Sequence, residues 1–215
     1  MNDPQGRSRN GPGYSRRDFL RGTGIAAAAS TLTAVPALEP AAEAAQDATG
    51  AVAIGPGSTK IRLNVNGKDM ETTIEPRVTL LDALRNYLDV TGCKRVCDRG
   101  SCGACTVMLD GKPVYSCSML ALEARGKKIR TAESLISEDG RLDAVPASFV
   151  QHDAQQCGFC TPGFVVALRA ALDKNPKATP ADVEVGLSGN ICRCGTYEQM
   201  RHAIASLCGQ GKEGG

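Results

Sequence analysis

The sequence of 215 residues contains few or none of several residue types and motifs, and each absence argues against a class of partner or functional site. It has no Trp and only 4% aromatic residues, so a hydrophobic core must come mainly from Val, Ile, Leu and Ala. A formal net charge of +2 argues against a nucleic-acid partner, which would need a basic surface. The two histidines, His152 and His202, stand outside any catalytic or metal-binding pattern, and there is no Gly-rich dinucleotide fingerprint or P-loop. We therefore expect no substrate chemistry on this chain alone.

The N-terminal region has the pattern of an export signal. Residues 15–21 read Ser-Arg-Arg-Asp-Phe-Leu-Arg, which resembles the twin-arginine motif except that Arg21 replaces the usual Lys. The Ala-rich run that follows, to about Val35, is shorter than the roughly 20 apolar residues of a membrane span. We predict a twin-arginine signal over residues 1–44, export of the folded protein to the periplasm, and no membrane span after cleavage.

The exact cleavage site stays open between two positions with small residues. One is residues 35–37 and the other, which we favour, is residues 42–44, because a Gly/Ala/Pro-rich linker over residues 45–59 follows it. Export of a folded protein also explains how thiol-bound clusters reach an oxidising compartment, because they are assembled in the reducing cytoplasm.

Three thiols crowd one short segment. Residues 97–105 read Cys-Asp-Arg-Gly-Ser-Cys-Gly-Ala-Cys, and a fourth thiol follows downstream, which is the spacing of a plant-type [2Fe-2S] cluster. Gly100 and Gly103 permit the positive φ angles that a loop curled around a cluster requires. A zinc site or two disulfides are the alternatives, although zinc knuckles usually pair two short Cys units. The predicted ligands are Cys97, Cys102, Cys105 and Cys117, with Cys93 a weaker rival for the fourth position.

A second set of thiols lies in the C-terminal half. Cys157 and Cys160 form a C-x2-C unit, and Cys192 and Cys194 form a C-x-C unit. Both units stand at the starts of predicted helices, whose positive dipole ends would face a negatively charged cluster. We predict a second [2Fe-2S] site, with a zinc site as the serious alternative for this half taken alone. A redox dithiol is disfavoured, because no thioredoxin-like βαβ pattern surrounds it.

The elements around these thiols predict an α+β protein. The predicted elements follow the order of a β-grasp, plant-type ferredoxin-like domain. They are alternating apolar residues, hairpin turns at residues 66–67 and 110–111, a helix capped by Thr79, and strands over 106–109, 112–117 and 128–130. We place this domain over residues 60–135.

Beyond it the pattern turns helical. Short helices are expected over residues 147–154 and after N-caps at Thr161, Thr179 and Thr196. Because short helices bury little alone, we predict a four-helix bundle over residues 136–209, followed by a disordered tail over 210–215.

Three segments together resemble the iron-sulfur subunit of the xanthine oxidase family of molybdenum hydroxylases: residues 92–107, 156–163 and 189–197. With the export signal, the chain is most similar to the small subunit of periplasmic heterotrimeric aldehyde oxidoreductases. Two departures are Val96, where the family usually has Gly, and Cys93, where it often has Thr. The order Gly195-Thr196, reversed from xanthine-type members, mildly favours the aldehyde-type branch.

The resemblance implies electron transfer. In that family a large subunit with a molybdopterin cofactor hydroxylates the substrate, two [2Fe-2S] clusters on the small subunit relay single electrons, and an FAD subunit passes them on. By this similarity, the second set of thiols holds the cluster nearer molybdenum and the first set the cluster nearer flavin. Gln156 and Cys194 match positions against the pterin, although Gln156 is alternatively a polar residue at a helix end.

Other functions stay open at this point. One alternative is that the complex oxidises N-heterocycles or carbon monoxide, because the substrate pocket is expected on another chain. An interaction protein stabilised by zinc or disulfides is the alternative from a different class. Cys93 and Cys208 are left over and are expected to be free, buried thiols.

Overall fold

The computed structural model describes residues 54–209, and these residues form an α+β protein as predicted. The predicted signal over 1–44, the linker up to residue 53 and the tail over 210–215 lie outside the described residues. In the described part, no helix is both long enough and apolar enough to cross a membrane.

A mixed sheet of five strands makes up the first half. Its strands, numbered along the chain, are β1 (Thr59–Val65), β2 (Lys68–Ile74), β3 (Thr106–Leu109), β4 (Lys112–Tyr115) and β5 (Lys128–Arg130). They lie in the order β2-β1-β5-β3-β4. The β1–β5 pair is parallel, and the β1–β2, β3–β4 and β3–β5 pairs are antiparallel.

Both predicted hairpin turns are confirmed. Asn66 and Gly67 have φ angles of 52° and 80°, and Asp110 and Gly111 have 49° and 79°, which are the positive values of type I′ turns. The returning strand β4 ends at Tyr115, so the prediction that it runs to residue 117 is wrong. The Ser116 hydroxyl donates to the Cys105 carbonyl at 2.7 Å, and the chain turns into a 3-10 helix, Ser116–Ser118.

One helical segment covers a face of the sheet. Helix α1 (Leu80–Asp82) continues as a π-helix, Ala83–Tyr87. Thr79 is its N-cap as predicted and accepts a hydrogen bond from the Asp82 N–H at 3.1 Å. The leucines of this segment are buried with the inward-facing strand residues in one core, whose largest members are Leu63, Ile74, Leu80, Leu81, Leu84 and Ile129.

Four helices make up the second half: α2 (Ala144–Gln151), α3 (Thr161–Lys174), α4 (Pro180–Gly186) and α5 (Tyr197–Leu207). They share a second core. Helix α2 begins three residues before the predicted start, because Asp143 caps it by accepting from the Val145 N–H at 2.9 Å. Helix α3 joins the two halves. Its Phe164 and Leu168 lie in the helical core, and its Val166 and Ala170 pack against Met108 of β3.

The three predicted threonine caps have different outcomes. Thr179 forms the expected capping box with Asp182. Thr161 is not an N-cap, because Cys160 holds that position, and the buried Thr161 Oγ1 has no hydrogen-bond partner among residues 54–209. Thr196 stands at the N-cap of α5, but its side chain makes no capping hydrogen bond.

Candidate metal centres

The loop before β3 brings together Cys97, Cys102, Cys105 and Cys117, called here the first thiol group. Cys102 lies close enough to Cys97 to affect its pKa, and Cys117 lies close enough to Cys105 to do the same. The Tyr115 phenol is close enough to all four sulfurs for their charge to raise its pKa, although burial is the larger cause. The four predicted ligands of the first site therefore converge beside one aromatic ring.

Glycines are required at two positions of this loop. Gly100 and Gly103 both have a φ angle of 71°. A Cβ atom on Gly103 would lie 2.7 Å from the Gly189 carbonyl oxygen, and one on Gly100 would lie 2.7 Å from Ser118 Oγ. The loop therefore adopts a curled shape that a larger residue would disrupt.

Backbone N–H groups point at the sulfurs of this group. The Gly100 N–H donates to Cys117 Sγ at 3.2 Å, and the Ser101 N–H donates to Cys97 Sγ at 3.3 Å. Backbone N–H groups, first that of Arg99, lower the pKa of Cys97 to about 7. Burial raises the pKa of Cys105 to about 11. Amide donors of this kind stabilise a thiolate, which is the form that binds iron.

The second thiol group consists of Cys157, Cys160, Cys192 and Cys194. Cys160 stands at the start of α3, and the C-x-C unit lies just before α5. The Sγ atoms of Cys194 and Cys157 are 3.4 Å apart, and Cys192 lies close enough to Cys160 to affect its pKa. Cys157 and Cys194 are exposed, and so is Gln156. This group therefore reaches the surface, whereas Cys105 and Cys117 of the first group are buried.

The thiols of the second group also differ in acidity. Burial opposes ionisation of Cys192, but hydrogen bonds from Thr196 prevail and lower its pKa to about 7. Burial, with the nearby Cys192, raises the pKa of Cys160 to about 12. The Tyr197 hydroxyl accepts from the Cys192 N–H at 2.8 Å, which anchors the backbone of this residue.

Both groups fit a [2Fe-2S] cluster. Such a cluster has two irons, each bound by two thiolates, and each group presents two pairs of thiols. All ten cysteines lie in the described range and none forms a disulfide. Among residues 54–209, no three His, Cys, Asp or Glu side chains have the arrangement that a single metal ion needs.

The two groups are joined by a short stretch before Cys192. The Ile191 N–H donates to the Cys102 carbonyl at 2.9 Å, and Asn190 Nδ2 donates to the Gly103 carbonyl at 3.0 Å. The Tyr115 hydroxyl donates to the Gly189 carbonyl at 3.0 Å. Sequence reasoning missed these contacts, although residues 189–191 belong to a motif that it singled out.

The remaining predicted residues lie apart from the thiol pairs. Cys93 is buried, its Sγ faces the Val90 carbonyl at 3.8 Å, and burial raises its pKa to about 12. Cys208 is only half-buried, so the prediction of a buried thiol there is wrong. The His152 and His202 rings stack with centroids 6.4 Å apart.

Two cluster-binding family models match the chain. The 2Fe-2S iron-sulfur cluster binding domain matches residues 63–135, and the [2Fe-2S] binding domain matches residues 131–205. The twin-arginine translocation pathway signal sequence matches residues 13–33, outside the described range. The protein is thus defined as an iron-sulfur protein with two [2Fe-2S] domains and a signal for twin-arginine export.

Similar proteins of known identity indicate the family to which this iron-sulfur protein belongs. The chain is 42% identical over 151 residues to the nicotine 6-hydroxylase small subunit of Paenarthrobacter nicotinovorans, covering 70% of this chain and 90% of that protein. It is 37% identical over 218 residues to the aldehyde oxidoreductase iron-sulfur-binding subunit PaoA of Escherichia coli O157:H7, covering 91% and 89%. In the crystal structure of quinoline 2-oxidoreductase from Pseudomonas putida 86, a chain 40% identical matches with a TM-score of 0.67, over 73% of this chain and 98% of that one.

The chain belongs to the iron-sulfur subunits of the xanthine oxidase family of molybdenum hydroxylases, which confirms the resemblance seen in the sequence. Its relatives are subunits of xanthine oxidase family dehydrogenase and oxidoreductase complexes. In the complexes of this family, partner subunits carry the molybdenum cofactor and FAD.

Proposed function

We propose that this chain relays single electrons from a molybdopterin centre, through two [2Fe-2S] clusters, to an FAD subunit in a heterotrimeric aldehyde oxidoreductase. The observation that carries the proposal is the hydrogen bond between the Ile191 N–H and the Cys102 carbonyl. Ile191 is bonded to Cys192 of the second thiol group, and Cys102 belongs to the first. One hydrogen bond and a few covalent bonds therefore connect the two groups.

The proposed ligands are the eight thiols of the two groups, with the second cluster nearer molybdenum and the first nearer flavin. The second group supports this order because two of its thiols, Cys157 and Cys194, are exposed. The apolar side chains of Phe159 and Ile191 are 52% and 53% exposed close to them in the chain. Apolar residues around exposed ligands suit a docking face for the large subunit, with Gln156 and Cys194 against the pterin.

An aldehyde substrate is favoured by the extent of the match. The PaoA relative aligns over 91% of this chain, whereas the nicotine 6-hydroxylase small subunit aligns over 70%. The names of other relatives keep an N-heterocycle as the second candidate.

We also propose that the mature protein is periplasmic, that residues 60–135 and 136–209 are its two domains, and that helices α2 to α5 act as a four-helix bundle around the second cluster.

The test uses the complex purified with its partner subunits and an aldehyde as electron donor. Reduction of the partner flavin is followed in the wild type, Cys102→Ser and Cys160→Ser. We expect flavin reduction in the wild type alone, because each variant removes one thiolate from one cluster of the relay. In Cys102→Ser, the aldehyde should still reduce the second cluster, which electron paramagnetic resonance (EPR) detects.

Flavin reduction at the wild-type rate in either variant would contradict the relay. If the complex reduces flavin with nicotinate or quinoline but not with any aldehyde, the proposed relay stands and the substrate is an N-heterocycle.

A further inference from the structure

The Thr196 hydroxyl is not used as Thr79 and Thr179, two other N-cap threonines, use theirs. At Thr79 and Thr179, the hydroxyl accepts from a backbone N–H in the first turn of the helix. Thr196 is 2% exposed at the start of α5, and its side chain makes no such bond. Its Oγ1 lies 3.3 Å from Cys192 Sγ instead. The side chain is therefore directed at a thiol of the second group.

The direction of this hydrogen bond follows from the chemistry of the ligand. Either atom can donate while Cys192 is a thiol. A sulfur bound to iron has lost its proton, so only the hydroxyl can donate in the cluster-loaded protein. A hydrogen bond to an ionised acceptor is also stronger than one between neutral groups.

We infer that Thr196 is a positioning residue that raises the reduction potential of the second cluster by donating a hydrogen bond to Cys192 Sγ. The inference rests on the proposed function, because it requires Cys192 to bind a cluster. Reduction adds one electron, and part of the added negative charge resides on the sulfurs. A donor at a sulfur therefore stabilises the reduced cluster more than the oxidised one.

The effect should be confined to the second cluster. Among residues 54–209, the Ser118 hydroxyl lies 3.6 Å from Cys117 Sγ on an exposed residue. The buried Ser116 hydroxyl is close enough to Cys105 to lower its pKa, but it donates its proton to the Cys105 carbonyl at 2.7 Å. Thr196 is buried, so water cannot easily replace its hydroxyl when it is removed. The first cluster thus serves as an internal reference in every variant.

The experiment is a dithionite titration of the complex, followed by EPR, with wild type, Thr196→Val and Thr196→Ser. In Thr196→Val, we expect the equilibrium constant for reduction of the second cluster to fall about tenfold, which is about 59 mV for one electron. The potential of the first cluster should not change, and Thr196→Ser should retain the wild-type values. Ser148→Ala is the matched control, because its buried hydroxyl bonds the Ala203 carbonyl and Ser206 rather than a thiol.

An unchanged second potential in a Thr196→Val protein that shows both signals would overturn the inference. An equal fall in Ser148→Ala would do the same, because it would indicate a general effect of packing. If valine prevents cluster binding, Thr196→Ala is compared with Thr196→Ser, which differs from it only by the hydroxyl. Equal potentials in that pair, or loss of the second cluster from Thr196→Ala, overturn the inference, and a lower potential of the second cluster in Thr196→Ala supports it. A wild-type complex without a second signal contradicts the proposed function instead.

Discussion

The two thiol groups meet the same chemical demand with different secondary structure. In the first group, a glycine-containing loop before a strand directs backbone N–H groups at Cys97 and Cys117. In the second, thiols stand at helix starts, two of them are exposed, and the Thr196 hydroxyl lies close to Cys192 Sγ. Backbone N–H groups reach sulfurs in both groups, and in the second group the buried Thr196 side chain is added to them. The comparison suggests a protected first cluster and a more accessible second cluster.

The largest effect that we predict concerns this difference in protection. In the chain purified without partner subunits, an iron chelator should abolish the EPR signal of the second cluster first, because Cys157 and Cys194 are exposed. The signal of the first cluster should outlast it. Within the complex, both signals should persist, since the proposed docking of the large subunit would cover the exposed thiols. Loss of the first cluster's signal before that of the second would show that the second cluster is the better protected.

A substitution at Gly163 should disrupt the packing of α3, which begins at the second thiol group, against the loop of the first thiol group. A Cβ atom there would clash with the Gly103 carbonyl oxygen and lie 3.0 Å from Ala104 Cα, so α3 cannot keep its place against the first loop. Gly163→Ala should destabilise the protein by about 3 kcal/mol. The urea midpoint of the visible absorbance measures this loss. Gly57→Ala is the control, because a Cβ atom there meets nothing within 4 Å; equal midpoints in the two variants would contradict the close approach.

Asn190 provides a smaller test of the same junction. Its side chain is buried and donates to the Gly103 carbonyl at 3.0 Å. Asn190→Ala leaves that carbonyl without this donor and should cost about 1–3 kcal/mol. The same urea midpoint reports it, with both EPR signals retained at low denaturant. A variant as stable as the wild type would show that the contact does not hold the two halves together.

The smallest predicted effect is at Tyr115. Tyr115→Phe keeps the ring beside the first thiol group and removes only the hydroxyl that donates to the Gly189 carbonyl. We expect a loss of about 1 kcal/mol in the free energy of unfolding. Tyr87→Phe is the control, because Tyr87 is 48% exposed and its hydroxyl bonds no residue of the described range. A larger loss of unfolding free energy in Tyr87→Phe than in Tyr115→Phe would contradict a stabilising role for the Tyr115 hydroxyl.

The sequence predicted the local features of the molecule well. Cysteine spacing alone identified both sets of thiols, and the structure brings the members of each set together. The hairpin turns at Asn66 and Asp110 were predictable because their residues tolerate positive φ angles. These features depend on neighbours in the sequence, which a single chain displays directly.

Contacts between distant segments could not be predicted in the same way. The periodicity of α3 indicates one apolar face, yet Val166 and Ala170 are also buried, because the helix lies between the sheet and the other helices. The bond from Ile191 to Cys102 joins residues far apart in the chain. At Thr196, the local rule for N-caps failed because a nearby sulfur competes for the hydroxyl.

The most direct test of the two-cluster relay is EPR of the dithionite-reduced complex, together with iron and zinc determination. We predict two distinct signals, about four irons per chain, and broadening of each signal when both clusters are reduced, because the two groups are joined through Cys102 and Ile191. A silent, zinc-rich sample would contradict the relay and show that the chain is a structural protein.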